Sequence, residues 1–252
     1  MKHIFFTIGI IFLSTAASNV LSAQSVEEII TKYYENTGGK DAWAKVEATR
    51  TTAKIKAQGM EFPATMVQTA TGKQKVSFSF QGMEIVQPCF DGEAGWQTNF
   101  MTMKAEKMEA EDNAIMKQSA EDFPDAFLRY KERGYALSLE GSETVEGTDC
   151  FKLKLTKKPY IIDGKEEENV TYYFFEKENY VPILTKSVVP KGPGKGMMSE
   201  TVLSDYQDVN GLLFPFTIEQ KFNGVVQAAI TMDKVEINPT IDHSIFNFPA
   251  DK

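Results

Sequence analysis

The side chains that most often act as nucleophiles, proton carriers or metal ligands are scarce in this sequence. Of its 252 residues, two are histidine and two are cysteine. His3 lies in the amino-terminal apolar segment, so a mature chain would keep His243 alone. A histidine-based nucleophile relay or a His/Cys metal cluster therefore has too few participants. The sequence predicts a protein that is not an enzyme and has no metal site.

The carboxylates and glycines give no clearer sign of catalysis. Asp91 with Glu93 and Glu109 with Glu111 are close in sequence, but charged residues at such spacing are usually exposed. The patterns G-x-G-x-x-G, G-x-x-x-x-G-K-[ST] and G-x-S-x-G are absent. The glycine-rich segment 192–196 lacks the flanking strand and helix of a phosphate loop, so we interpret it as a flexible loop. We expect no cofactor.

Cys89 and Cys150 are the only cysteines. Their spacing cannot show whether two Cα atoms come within disulfide distance, so a bridge stays open. Two buried, apolar thiols are the favoured interpretation.

What remains for a function is soft apolar surface, since the chain has 18 Phe and 11 Met. Methionine adapts to varied shapes, which suits an apolar pocket, although packing into a plain core is the alternative. Nine residues, on predicted strands and on the helical segment expected to cover them, are candidate ligand-binding residues: Met66, Phe78, Phe80, Met83, Ile85, Trp96, Met101, Met103 and Phe127.

Composition and charge narrow the class of partner. The chain is 42% hydrophobic and 25% charged, which is ordinary for a globular domain. It has 27 Lys and Arg against 35 Asp and Glu, a net charge of −8, with no basic cluster. Nucleic acid is therefore excluded as an expected partner, and an anionic membrane surface is disfavoured. We expect a monomer.

The amino terminus has the pattern of a cleaved secretory signal. Lys2 precedes an apolar run from Ile4 to Leu13, and small residues follow up to Ala23. The run is too short for a confident membrane span. We predict a signal peptide over residues 1–23 and one domain over 24–252, exported and not lipid-anchored, because no cysteine stands at the cleavage site.

Periodicity indicates a mainly β protein of the α+β class. Ser25 and Glu28 form a capping box for an amphipathic helix that ends at Gly38. Alternation with period two begins at Thr49, and helical spacing returns between residues 101 and 133, including the repeat Phe123, Ala126, Phe127 and Tyr130. Strands then follow to Ile237. About eleven antiparallel strands must curl to hide their edges, which predicts an incomplete antiparallel β-barrel with helices over its concave face.

Three segments resemble a known family. The stretch 86–100, with Asp91-Gly92 followed by Trp96, is similar to the D-G-x-x-x-W strand pair of the LolA-like outer-membrane lipoprotein-sorting family. Tyr206 to Pro215 resembles the late hairpin of that family, and Val235 to Pro249 resembles its closing segment. The order of predicted elements agrees over nearly the whole mature chain.

The resemblance implies a periplasmic carrier that holds lipoprotein acyl chains under a helical lid and passes them to an outer-membrane acceptor protein without ATP or metal. In that family an Arg-Pro dipeptide helps to latch the lid, whereas this chain has Thr69-Ala-Thr-Gly-Lys73 at the corresponding place. Two functions therefore stay open: a binding protein or carrier for acyl chains or another hydrophobic ligand, and a non-enzymatic interaction or envelope-sensor module.

Overall fold

The computed structural model describes residues 24–249, so the predicted signal peptide lies outside the described residues. The helices are α1 (Val26–Asn36), α2 (Lys40–Trp43) and α3 (Ala110–Ala120), and a 3-10 turn spans His243–Phe246. The strands are β1 (Ala48–Ala57), β2 (Met60–Thr69), β3 (Gln74–Phe80), β4 (Met83–Phe90), β5 (Gly95–Thr98), β6 (Ala105–Lys107), β7 (Ala136–Val145), β8 (Thr148–Thr156), β9 (Tyr160–Ile162), β10 (Lys165–Glu167), β11 (Val170–Glu176), β12 (Pro182–Val188), β13 (Met198–Val209), β14 (Leu212–Phe222) and β15 (Val225–Ile237).

Thirteen strands form one antiparallel sheet in the order β6-β5-β4-β3-β2-β1-β15-β14-β13-β12-β11-β8-β7. The edge strands β6 and β7 do not pair, so the sheet stays open, and β9 pairs with β10 in a separate hairpin. The predicted mainly β fold with an incomplete antiparallel barrel is confirmed. The sheet has more strands than predicted, because strands of three or four residues are too short to show an alternation.

The two faces of the sheet have different covers. Residues directly opposite each other in antiparallel strands share a face, and we call the face that packs against α1 the inner face. There Ile29 and Tyr33 of α1 belong to one buried cluster with Leu153, Phe175 and Leu212. The carboxyl-terminal tail covers the outer face, where Phe246 joins a second cluster.

The capping box predicted for α1 is present. The Ser25 Oγ accepts a hydrogen bond from the Glu28 N–H at 3.2 Å, and the Glu28 Oε2 accepts one from the Ser25 N–H at 2.8 Å. Two otherwise unpaired amide donors of the first turn are thus satisfied. The helix ends at Thr37, whose carbonyl accepts the Trp43 Nε1–H at 3.1 Å.

The helical prediction between residues 101 and 133 is half wrong. Helix α3 is present, but residues 121–134, which we call the cover segment, form successive turns. Pro124 has no amide to donate, and the Asp125 Oδ1 accepts the Phe127 N–H at 2.8 Å in place of a helical carbonyl. The repeat from Phe123 to Tyr130 places apolar side chains against α1 without forming a helix.

The cysteine interpretation is confirmed, because both thiols are free and buried. Cys89 belongs to the outer-face cluster with Phe246, and Cys150 packs with Phe174 and Leu184 in a third cluster.

Candidate functional site

Helix α1 covers one end of the inner face, and the other end carries a row of apolar side chains. Strand register places these residues side by side across six neighbouring strands: Met83, Phe80, Phe62, Ile55, Ile230 and Ile218. The Phe80 and Phe62 rings lie 5.9 Å apart between centroids. A second row follows one step along the strands: Ile85, Phe78, Ala64, Ala53 and Met232. We call the partly exposed side chains of these two rows the apolar trough: Met83, Phe80, Phe62, Ile55, Ile230, Ile218, Phe78 and Met232.

The side chains of the trough are only partly buried by one another. Ile85 and Ala53 at its floor are buried, whereas Met83 is 45% exposed. Phe62, Phe78, Phe80, Ile55, Ile218, Ile230 and Met232 are all partly exposed. Inner positions of a sheet would be fully buried if another layer packed on them. The trough is therefore an open apolar surface and not a closed core.

The turn between β5 and β6 forms one wall of the trough. Phe100 from this turn stacks on Phe78, with ring centroids 6.5 Å apart and 30° between the ring planes. Phe100 is 60% exposed and Met101 is 94% exposed. Because both side chains are apolar and largely solvated, they extend the apolar surface beyond the sheet.

The nine predicted ligand-binding residues separate into three groups. Met66, Phe78, Phe80, Met83 and Ile85 share the inner face. Met101 and Met103 lie in or beside the turn that walls the trough. The third group, Phe127 and Trp96, lies away from the trough.

Phe127 and Trp96 are part of packed clusters. Phe127 is 2% exposed and packs with α1. Trp96 pairs with Cys89 on the outer face, where its Nε1–H donates to the Phe246 carbonyl at 3.3 Å. The pairing of β3 with β4 shifts by one residue, because Ser77 is opposite Val86 and Lys75 is opposite Cys89. The extra residue in β4 puts Cys89, and with it Trp96, on the opposite face from Ile85. Alternation read from the sequence therefore could not assign Trp96 to a face.

The trough residues that the sequence missed are Ile55, Phe62, Ile218, Ile230 and Met232. They alternate correctly within their own strands, so a signal existed. For Ile218, Ile230 and Met232 the missing information was the pairing of β1 with β15, which joins the two ends of the chain across the sheet. Ile55 and Phe62 lie on strands that pair in sequence order with β3 and could have been included.

The two rows of the trough contain no ionisable side chain, although Lys104 is in the turn that walls it. The best buried carboxylate, Asp125, accepts hydrogen bonds from the Tyr33 and Tyr34 hydroxyls at 2.7 Å each and holds the cover segment against α1. Burial raises the pKa of Asp125 above its usual range, although these hydrogen bonds oppose the shift. His243 is exposed in the tail. Within residues 24–249 no group of three or more His, Cys, Asp or Glu side chains is placed to hold a metal ion.

The cover segment is held by largely buried ion pairs at Asp122, and not by a residue of the 69–73 stretch. Lys73 does not reach the cover segment, because its Nζ lies 5.9 Å from the Phe246 ring centroid on the outer face. Lys157, which directly follows β8, instead pairs with Asp122, and Arg133 lies 3.9 Å from the same carboxylate. The side chains of Lys157 and Arg133 are 9% and 12% exposed.

One further groove lies between α1 and the cover segment. It has a volume of ≈460 Å³, and its base includes Ile30, Tyr34, Phe127 and Leu128. These four side chains pack against one another in the buried cluster. The groove is therefore the line along which α1 and the cover segment meet, and we call it the seam.

No helix in residues 24–249 combines the length and the apolar character that crossing a membrane requires.

Comparison with known proteins identifies the fold. No family model matches the chain, and no curated protein matches its sequence. Among solved structures, a candidate outer membrane lipoprotein-sorting protein domain from Vibrio parahaemolyticus matches with a TM-score of 0.54 and 10% identity, over 87% of this chain and 95% of that one. A LolA superfamily protein from Nitrosomonas europaea matches with a TM-score of 0.51 and 12% identity, over 89% and 98%. The chain therefore has a LolA-like fold, as its sequence motifs suggested.

Proposed function

We propose that this protein is a non-enzymatic binding protein or carrier that holds an acyl chain, of a lipoprotein or another lipid, in the apolar trough. The observation that carries the proposal is the two adjacent rows of partly exposed apolar side chains across the inner face. The fold shared with the Vibrio parahaemolyticus domain supports a role in the cell envelope. With the predicted signal peptide at residues 1–23, we place this function in the periplasm.

The dimensions of the trough suit an acyl chain. It crosses six strands from β4 to β14, and neighbouring strands are ~4.8 Å apart, so it is about 24 Å long. One leaflet of a bilayer gives an acyl chain about 15 Å of hydrocarbon depth. The trough therefore has room for one extended chain.

Apolar burial alone can hold such a ligand. Because the trough is open on one side, an acyl chain lying in it is about half buried. Half-burial of about fifteen methylenes, at ~0.8 kcal/mol for each fully buried one, contributes roughly 6 kcal/mol before the ordering costs of association. No trough residue is ionisable, so nothing in it would polarise a bond or transfer a proton. Retention and release of an intact lipid is the activity that this chemistry favours.

The test is retention of lipid through purification. Protein exported to the periplasm of a bacterial host and examined by native mass spectrometry is expected to carry acyl-chain lipid. Phe78→Asp places a charge in the middle of the trough and is expected to abolish retention. Ser79→Asp, on the same strand but exposed on the outer face, is the matched control and is expected to retain lipid. Equal retention by both variants would contradict the proposal.

The seam between α1 and the cover segment favours a second candidate, a module that recognises an envelope protein. An acceptor or client protein would then bind the exposed rim of the ≈460 Å³ groove. Protein that is consistently empty of lipid but co-purifies with a stable partner would support this module against the carrier.

A further inference from the structure

A small pocket of different chemistry adjoins the apolar trough. It has a volume of ≈240 Å³ and lies where the β9–β10 hairpin approaches the inner face. Tyr160 of the hairpin forms one side, and side chains from β11 to β14 form the other. The strands that line it directly neighbour those of the trough.

Strand register places hydrogen-bonding side chains at the floor of this pocket. Thr171, Ser187 and Ser199 lie side by side on three neighbouring strands of the inner face. Gln220 of β14 lines the pocket as well and stands two residues from Ile218 of the trough. All three hydroxyl-bearing residues are partly buried. Along this row of the inner face, the side chains thus change from apolar on β14 to hydroxyl-bearing on the neighbouring β13.

A buried amide in the pocket wall lacks a partner. Asn169 lines the pocket and is 5% exposed, and its Nδ2 has no hydrogen-bond partner among the described residues. Buried polar groups are nearly always satisfied by protein, water or a ligand, because an unmade hydrogen bond is costly. Rotation about the soft χ2 torsion exchanges the two amide atoms, so the group can present a donor or an acceptor.

Charge in the pocket disfavours an anion. Among the twelve residues that line it in the described part of the chain, Glu168 is the one acidic side chain, and none is basic. The nearby Lys195 is engaged by Glu167 at 2.6 Å. A phosphate or free carboxylate would meet a carboxylate without a compensating cation.

We propose that this pocket binds the uncharged headgroup of an acylated ligand, such as a glycerol, ester or amide group, while the acyl chain lies in the apolar trough. The inference rests on the proposed function and adds the class of headgroup. Hydroxyl and amide groups at the floor supply donors and acceptors to a neutral polar group without requiring a counter-ion.

The β9–β10 hairpin that forms one side of the pocket is fixed in place on both of its faces. The Asp163 N–H donates to the Glu111 Oε1 at 2.9 Å, and the Gln118 Nε2 donates to the carbonyl of Lys158, just before the hairpin, at 2.6 Å. These two exposed bonds join the hairpin segment to α3, and Ile162 of β9 is 2% exposed. The side of the pocket that Tyr160 forms is therefore held by apolar packing as well as by hydrogen bonds.

The test compares three probes with the same sixteen-carbon chain and different headgroups: monopalmitoylglycerol, palmitate and hexadecylamine. Equilibrium dialysis of the delipidated, exported protein measures each affinity. Monopalmitoylglycerol is expected to bind about tenfold more tightly than palmitate, as two hydrogen bonds imply. In the triple variant Thr171→Val, Ser187→Ala, Ser199→Ala the preference is expected to disappear, while the affinity for palmitate stays the same.

The control is the double variant Ser204→Ala, Thr217→Val. These two hydroxyl-bearing residues face each other on β13 and β14 directly beside the inner-face pair Leu203 and Ile218, so they lie on the outer face. It is expected to keep the wild-type preference. Equal affinity of wild type for all three probes, or tightest binding of hexadecylamine, would overturn the headgroup assignment and leave the acyl-binding function standing. Failure to bind any probe would overturn the proposed function itself.

Discussion

Asp125 is the residue that joins the cover segment to α1. Its carboxylate accepts the Tyr33 and Tyr34 hydroxyls and the Phe127 amide, so three donors on two elements meet at one side chain. Desolvation disfavours the charged form, and the hydrogen bonds favour it. The balance raises the pKa of Asp125 above the ordinary value of 3.8.

This shift predicts a pH dependence. A carboxyl whose folded pKa is raised contributes stability that is fully present below the unfolded pKa and is lost as pH rises through the folded pKa. The stability of wild type relative to Asp125→Asn should therefore be greatest below pH 3.8 and should decrease as pH rises. Urea unfolding of both proteins across a pH series measures the difference, and a wild-type advantage that grows with pH would contradict it.

The two thiols provide a second test at the residue scale. Burial raises the pKa of Cys89 to about 11 and also raises that of Cys150. We predict that a thiol-reactive disulfide reagent at neutral pH modifies neither cysteine in the native protein and both after unfolding. Rapid modification of the native protein, or fewer than two thiols in the unfolded one, would be inconsistent with free, buried cysteines.

The scarcity of histidine and cysteine led to apolar residues as candidates, and five of the nine share the inner face. Their role as ligand-binding residues stays a prediction. Trp96 lies on the outer face because of a local register shift. The extra residue lies between Val86 and Cys89 and breaks the alternation of β4 there. Pro88 in this stretch is a sequence signal for a bulge, which alternation alone does not use.

The carboxyl-terminal end of α1 lies directly against the β13–β14 turn. Gly38 has φ +110°, and a Cβ there would overlap the carbonyl oxygen of Gly211 in that turn. The Leu213 N–H also donates to the Thr37 carbonyl at 3.2 Å. The end of the helix is therefore fixed over the inner face by a close contact between two backbones.

Gly38→Ala is predicted to lower the free energy of unfolding by more than about 2 kcal/mol, through backbone strain and overlap with a carbonyl that cannot move alone. Gly39→Ala is the matched control, since Gly39 also has a positive φ of +96° but a Cβ there would have nothing within 4 Å. Gly39 has ψ 140°, so its substitution should cost about 1–3 kcal/mol of backbone strain alone, and Gly38→Ala should cost clearly more. Equal losses in urea unfolding would contradict the close contact.

Helix α3 is held in a different way. None of its residues is buried. Lys191 of the 190–196 loop reaches Glu109 at 2.9 Å and Asp112 at 3.0 Å, and Lys117 pairs with Glu93 at 2.8 Å. Lys191 thereby joins the start of the 190–196 loop to the beginning of α3.

We predict that Lys191→Gln increases amide hydrogen exchange in Ala110–Ala120 by up to about fivefold, because exposed ion pairs stabilise an element only weakly. Exchange in α1 should not change. Lys234→Gln, which breaks a pair with Glu236 on β15, is the control. Unchanged exchange in α3 would show that its ion pairs do not hold it.

The elements could be predicted where a local rule sets them. The capping box located α1, and alternation located the longer strands. The cover segment followed helical spacing but is not helical, because Asp125 and Pro124 favour turns. Its spacing reflects packing against α1 and not an internal hydrogen-bond pattern.

For the whole molecule, the proposed function depends on a sheet that does not close. Helix α1, the cover segment and the carboxyl-terminal tail bury much of both faces, and one end of the inner face keeps its apolar side chains partly exposed. Surface of this kind is a binding site or an aggregation hazard in a soluble protein. The pairing of β1 with β15 creates it, and this non-local contact could not be derived from periodicity alone.

The most direct measurement is the location of bound lipid. A fatty acid with a photoactivatable group near its methyl end, cross-linked to the purified protein, can be mapped by peptide mass spectrometry. We predict cross-links on β2, β3, β14 and β15 at inner-face residues such as Phe62, Phe78 and Ile230. Cross-links confined to the seam between α1 and the cover segment, or to the outer-face cluster around Trp96, would contradict the apolar trough as the site.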